Sequence, residues 1–420
     1  MKLLVVGSGG REHAVIRKLK ENKEIEKIYC APGNGGISAD AECVDIKATD
    51  KENMVKFAKE NAIDFCVVTP DDPLALGMVD EMEEAGIPCF GPKANAAIIE
   101  ASKAFSKDLM KKYGIPTADY ETFDNEKEAL HYIEEKNTFP IVIKADGLAL
   151  GKGVLICETL DDAKTALREM MVEHVFGLSG NKVVVEEFMT GKEVSVLAFT
   201  DGNVVKPMIS SMDHKRAYDN DEGLNTGGMG TIAPSPYYTK EIAETCMETI
   251  FLPTVKAMNA EGRTFKGCLY FGLMLTPKGP RVVEYNCRFG DPETQVVLPL
   301  LNSDLLTIMK ACHDGTLKDV DVVWSEEACA CVVEASGGYP VKYEKGFEIH
   351  GLDENGQHDG VIVYHAGTKK ENGKFYTNGG RVLGITAKGA TLQDALDKAY
   401  EAVKEIGFDK MHYRTDIGKK

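Results

Sequence analysis

A chain of 420 residues leaves room for two or three domains at roughly 150 residues each, so its cores need neither disulfide nor metal to hold them. Lys and Arg number 49 against 66 Asp and Glu, a formal charge of −17 that excludes non-specific nucleic-acid binding and adsorption to anionic membranes. Eleven cysteines without a Cys-x-x-Cys pair indicate neither a zinc site nor a disulfide framework; with no apolar run long enough for a signal peptide or membrane span, a cytoplasmic, membrane-free protein is expected.

Residues 1–101 alternate short β-branched runs, at 3–6, 28–31, 65–68 and 89–90, with helical patterns, the rhythm of parallel βαβ units. This predicts an N-terminal doubly wound open sheet. Asp50 caps a helix bearing Met54, Val55, Phe57 and Ala58, and Ser102 opens another that stops at Gly114 with Pro116 behind it. From about 120 to 189 the pattern changes to a small α+β unit. Runs at 141–145 and 154–157 flank a glycine loop closely enough to pair as an antiparallel hairpin, Thr159 with Asp162 forms a capping box, and a strand follows at 183–185. Strands at 194–199, 269–275 and 281–285 predict a larger antiparallel sheet, completing a second domain over 102–325. The C-terminal domain, 326–420, is small and β-rich α+β, with strands at 329–334 and 361–365 and a closing helix opened by Thr391 and Asp394. The fold class is therefore multidomain α/β and α+β.

Glycine loops dominate the chemistry. Gly7-Ser8-Gly9-Gly10-Arg11-Glu12 follows a strand and opens a helix, but Glu12 stands where a dinucleotide fingerprint needs its third glycine, and no acid for a ribose hydroxyl ends the second strand. A nicotinamide site is disfavoured; a tight turn and an anion at the helix N-terminus, helped by Arg11, stay open. The loop 147–153 contains Gly151-Lys152-Gly153 with the wrong spacing for a P-loop and runs from strand to strand, so it reads as a flap whose N–H groups fold over phosphates, with Lys144 on the incoming strand. Strand periodicity puts Glu284, Asn286 and Arg288 on one face, two hard oxygen ligands and a guanidinium, which suits Mg²⁺ or Mn²⁺ with a nucleotide phosphate. Asp213-His214-Lys215-Arg216 adds a basic cluster beside the glycine-rich loop that contains Gly228.

The order and spacing of 141–153, 185–189 and 284–288 resemble the ATP-grasp superfamily. With residues 7–14, 213–216, 225–230, 288–295, 365–368 and 377–381, the chain is similar to the glycinamide ribonucleotide synthetase family from residue 2 to about 418. The resemblance implies an ATP-grasp body with a mobile flap subdomain at about 120–189. It also implies a ligase of purine biosynthesis joining glycine to 5-phosphoribosylamine with ATP, through glycyl phosphate; a monomer is favoured. Lys103 and Lys144 then grip ATP phosphates under Gly151, Lys152 and Gly153, the backbone of Glu186, Glu187 and Phe188 meets adenine, and Glu193 takes the ribose hydroxyls. Glu284 and Asn286 match metal ligands and Arg288 the transition-state arginine, with Lys144 also catalytic. Gly9, Gly10, Arg11, Glu12, Asp213, Lys215, Arg216, Gly228, Asp291 and Glu293 fall to the amine substrate and glycine. The alternative is a sibling ATP-grasp carboxylate–amine ligase or carboxylase acting on another purine intermediate.

Overall fold

A computed structural model describes residues 1–149 and 153–419. The N-terminal runs form a five-stranded sheet in the order Glu42–Cys43, Lys27–Pro32, Lys2–Gly7, Phe65–Val68, Cys89–Phe90, every neighbour parallel. Parallel strands need crossovers and are covered on both faces, which is why these runs are apolar throughout rather than alternating. Leu3 and Val5 pack into one core, Leu4 and Val6 into another. The carboxyl ends of the strands carry the glycine loop, the usual place for a ligand in an open α/β sheet.

The flap unit is a four-stranded antiparallel sheet in the order Tyr120–Phe123, Val183–Glu187, Ile141–Ala145, Val154–Cys157. Helices Glu126–Lys136 and Leu160–Leu167 cover it through Ala129, Ile133, Ala163 and Leu167, the second opened by the Thr159–Asp162 capping box. A second antiparallel sheet runs Val205–Pro207, Lys192–Thr200, Gly267–Thr276, Gly279–Asn286. The C-terminal sheet has six strands: Met212–Asp213, Gly230–Ala233, Ala328–Ser336, Arg381–Gly389 and Ile362–His365 in order, with Met411–His412 also on Ala328–Ser336. It takes in two strands from upstream of residue 325, so the middle and C-terminal parts are interwoven. Helix Leu392–Val403, with its Thr391–Asp394 capping box, closes its core through Ala395, Leu396, Ala399 and Val403.

That sheet also buries a carboxyl. Glu334 is fully buried beside Leu383, and neither carboxyl oxygen has a hydrogen-bond partner among the described residues. Burial pushes its pKa well above the ordinary glutamate value. The folded chain therefore keeps a proton that the unfolded chain releases near about pH 4.3, so this group's stability is present below that pH and lost as pH rises toward the folded value. Glu334→Gln is expected to flatten the decline of Tm between about pH 5 and pH 8. Thermal melts that run parallel for the two proteins would refute it.

Candidate active site

On the strand Gly279–Asn286 and just beyond it, Tyr285 and Cys287 turn into the core while Glu284, Asn286 and Arg288 share the more open face. Lys215 Nζ lies 3.7 Å from Glu284 Oε1 and 3.7 Å from Glu193 Oε2, and Ser195 and Tyr270 line the same narrow slot. Burial raises the Glu284 carboxyl, but Lys215, Lys144, Lys103 and Arg288 outweigh it and hold the group below its ordinary value. Glu193 in turn holds Lys215 well above the usual lysine range, against its burial. No group of three or more His, Cys, Asp or Glu side chains able to hold a metal occurs among the described residues. The hard-oxygen pair Glu284 and Asn286 instead fits Mg²⁺ or Mn²⁺ sharing its remaining positions with water and phosphate.

Lys144 is buried on Ile141–Ala145, its Nζ 3.0 Å from Glu186 Oε2 and donating to the Val283 carbonyl at 3.1 Å. Glu186 Oε1 faces a second buried amine, Lys107 Nζ, at 3.2 Å, and Lys107 also donates to Thr117 Oγ1 at 2.7 Å. Burial, working against Glu186, brings the Lys107 pKa down to about 8. The Glu186 side chain thus serves to fix two lysines, whatever its backbone does. Lys103 Nζ donates to the Gly147 carbonyl at 3.0 Å, tying the helix Lys103–Tyr113 to the start of the glycine loop. Gly153 leads into the returning strand, and Gly151 and Lys152 lie outside the described residues. Glu187 is held by Arg281 at 2.5 Å and accepts the Asp119 N–H, and Phe188 is partly exposed beside it in sequence.

Arg288 is aimed from the N-terminal sheet's side. Its Nη2 lies 3.0 Å from Glu100 Oε1 and 3.9 Å from Asp71 Oδ2, and Glu100 Oε2 accepts the Cys287 N–H at 2.7 Å. Burial opposes the guanidinium charge, but Glu100 and Asp71 keep it protonated. Its Nε has no partner among the described residues.

From the slot, Tyr270 Oη donates to Glu293 Oε1 at 3.1 Å and bonds Ser195 Oγ at 2.7 Å. Asp213 stands next to Glu293, and burial followed by that neighbouring charge pushes its carboxyl well above the usual range. Gly228, at φ +121°, closes over it: a Cβ there would lie 2.6 Å from Asp213 Oδ1 and 2.5 Å from Pro292 Cδ, so only glycine fits. Beyond lies a cleft of about 310 Å³ lined by Gly9, Asn34, Asp291, Tyr339, Thr368, Asn378 and Arg381, among others. Arg381 Nη1 donates to the carbonyls of Gly227 (2.7 Å) and Asp291 (2.9 Å), with Nη2 3.5 Å from Asp291 Oδ2. Burial raises the Asp291 carboxyl, but Arg381 and Arg11 bring it below its ordinary value.

The first glycine loop behaves differently from a free anion site. Glu12 folds back under Gly7 and accepts the Gly9 N–H at 2.6 Å, while its other oxygen takes Arg11 Nε at 2.6 Å; Arg11 Nη1 reaches the Phe289 carbonyl. The side chain in place of the third glycine is thus the anion at its own helix N-terminus. Gly10 packs on Gln295. Arg216 Nη1 donates to the Gly223 carbonyl across its own hairpin at 2.7 Å. Sequence reasoning missed Lys107, Glu100, Asp71 and Asn34; Arg381 lay within a quoted motif but had no role.

Comparison with known proteins names the frame around this geometry. Models of phosphoribosylglycinamide synthetase match successive stretches: the N domain at residues 1–100, the ATP-grasp (A) domain at 101–294 and the C domain at 329–420. The chain belongs to the phosphoribosylglycinamide synthetase family. Phosphoribosylglycinamide synthetases are ATP-grasp ligases, and two curated relatives carry the name phosphoribosylamine–glycine ligase. That of Caldanaerobacter subterraneus subsp. tengcongensis is 50% identical over 417 residues, 99% of each chain; that of Clostridium acetobutylicum is 48% identical over 419 residues, 100% of each. Among solved structures, the phosphoribosylamine–glycine ligase of Thermotoga maritima matches with a TM-score of 0.88 at 33% identity, covering 100% of both chains. The biotin carboxylase domain of Hydrogenobacter thermophilus 2-oxoglutarate carboxylase gives 0.74 at 18% identity over 98% of this chain and 91% of that one, a likeness of fold. No helix among the described residues is long and apolar enough to cross a membrane.

Proposed function

We propose that this phosphoribosylglycinamide synthetase joins glycine to 5-phosphoribosylamine with ATP, giving glycinamide ribonucleotide, ADP and phosphate, as a cytoplasmic step of purine biosynthesis. A carboxylate oxygen is too poor a leaving group for an amine to displace, so glycine is first phosphorylated and the amine then expels phosphate from glycyl phosphate. Both transfers spread negative charge over phosphoryl oxygens, and fixed cations lower the barrier most. Lys103 and Lys144 hold the ATP phosphates, with Lys107 and Glu186 setting Lys144; the sequence motif assigns the same task to Gly153 and to Gly151 and Lys152, which lie outside the described residues. The backbone at 186–188 meets adenine and Glu193 the ribose. Glu284 and Asn286 would hold Mg²⁺ or Mn²⁺, which supplies charge neutralisation at the phosphates when bound. Lys215 neutralises the two carboxylates it lies between, and Arg288 receives the developing anionic oxygen bidentately.

The observation that carries the reading is the chain Tyr270, Glu293, Asp213, which joins the phosphate slot to the cleft at Asp291 and Arg381. An acyl phosphate made in the slot is thereby next to carboxylates that orient amino groups, and a ribose phosphate in the cleft meets Arg381 and Asn378. Eleven free thiols suit a reducing compartment. Phosphate release is expected only with ATP, glycine and phosphoribosylamine together; release with bicarbonate in place of glycine would move the reading to a carboxylase. Arg381→Gln is expected to raise the KM for phosphoribosylamine about tenfold or more, the weight of one charge-assisted hydrogen bond, with ATP KM little changed. An unchanged amine KM would remove the cleft assignment.

A further inference from the structure

The glycine loop after Lys2–Gly7 and the loop after Ile362–His365 come from opposite ends of the chain, yet they form facing walls of the cleft. Asn34 Nδ2 donates to the carbonyls of Ser8 (2.9 Å) and His365 (2.8 Å), and the Gly35 N–H binds the Thr368 carbonyl at 3.0 Å. Behind the wall, fully buried His13 of helix Gly10–Leu19 accepts the His365 N–H at Nδ1, 2.8 Å away. A ring nitrogen that accepts carries no proton, so neutral His13 has its proton on Nε2 and donates it to Asp40 Oδ2 at 2.9 Å. Asp40 is held in turn by Lys20 at 2.7 Å and Arg17 at 3.4 Å. The His365 ring meets Thr368 Oγ1 at 3.0 Å and the Gly356 carbonyl at 2.7 Å, so fixing His365 fixes Thr368 on the cleft wall. Slippage is blocked by close packing, since a Cβ on Gly36 would fall 2.0 Å from His365 Cγ.

We infer that His13 is a positioning residue for the amine substrate: its Nδ1 clamp on the His365 backbone sets the spacing between the glycine loop and the loop bearing Thr368, and hence the width of the cleft. His13 touches no substrate. The inference rests on the cleft being the phosphoribosylamine site. Spacing errors of this kind weaken the binding of one substrate without touching the others.

Two substitutions in the full-length enzyme separate positioning from bulk stability. Asparagine can present its Oδ1 close to where Nδ1 stands, whereas glutamine reaches toward Asp40 and leaves the His365 N–H without its acceptor. With phosphoribosylamine generated in situ from ribose 5-phosphate and ammonia, His13→Gln is expected to raise its KM about tenfold while the KM values for ATP and glycine stay within about twofold. His13→Asn is expected to stay near the wild type in all three. An unchanged amine KM in His13→Gln, or ATP and glycine KM values rising in step with it, overturns the positioning role. Should the buried glutamine prevent folding, Asp40→Ala removes the ring's other anchor from outside the cleft. The same amine-selective rise is expected there, and its absence overturns the inference. Arg381→Gln run in parallel keeps the two failures apart. A raised amine KM there with wild-type kinetics in His13→Gln removes only the clamp, whereas an unchanged KM there removes the cleft reading beneath it.

Discussion

Arg288→Ala is expected to lower kcat by about 10² to 10³, the cost of removing one preorganised donor from an anionic transition state, while ATP KM changes little. The residue is poised for that effect and for little else. It is 18% exposed, its charge is maintained by Glu100 and Asp71, and its Nε is left without a partner in the described structure. Loss of the guanidinium strands Glu100, whose burial already raises its carboxyl against the pull of Arg288, so the variant accommodates by taking up a proton rather than by unfolding. Arg288→Lys is not expected to rescue, because an ammonium cannot replace a planar fork. Phosphate-release kinetics on a variant shown by circular dichroism to be folded decide the matter; a kcat within about tenfold of the wild type would end the role assigned here.

Glu284→Ala should be the more severe change, lowering turnover by about a thousandfold or more, because it removes a candidate metal ligand and unbalances three lysines together. Lys215, Lys144 and Lys103 all act on this carboxylate, so its loss leaves an excess of positive charge in the slot. ATP without divalent metal is therefore expected to bind at least as well as to the wild type, whereas the gain in affinity on adding Mg²⁺ is expected to disappear. Titration calorimetry with and without the metal separates these two effects. Near-normal turnover, or an undiminished metal effect, would show that the carboxylate belongs elsewhere.

The sequence made the Glu284, Asn286, Arg288 face legible because strand alternation is local: Tyr285 and Cys287 need the core, and their neighbours must point away. Caps at Asp50, Ser102, Thr159 and Thr391 were legible for the same reason, each being a side chain bonded to backbone within three residues. Lys107 was not, since a lysine four residues after Lys103 looks like a solvated helix face until Glu186 arrives from a distant strand. Glu100 is further removed, 187 residues from the Cys287 amide it accepts. Arg216 shows how neighbours in sequence can take different partners in space. Adjacent charges read as one cluster, but Lys215 goes to Glu193 and Glu284 while Arg216 closes its own hairpin. Long-range pairing, not composition, decides which charge serves the site.

The Glu100 contact also bears on how the chain can be taken apart. Helix Ala94–Ala101 belongs by position to the N-terminal stretch, yet it carries the carboxylate that compensates Arg288 and receives the Cys287 amide. A fragment beginning after residue 101 would lose Glu100 and Asp71, the two acids beside Arg288, and with Glu100 the acceptor of the Cys287 amide. The ATP-grasp portion is consequently not a cassette to be excised or grafted at the boundary its sequence suggests. A working transplant must bring that helix with it, or supply another acid in the same place.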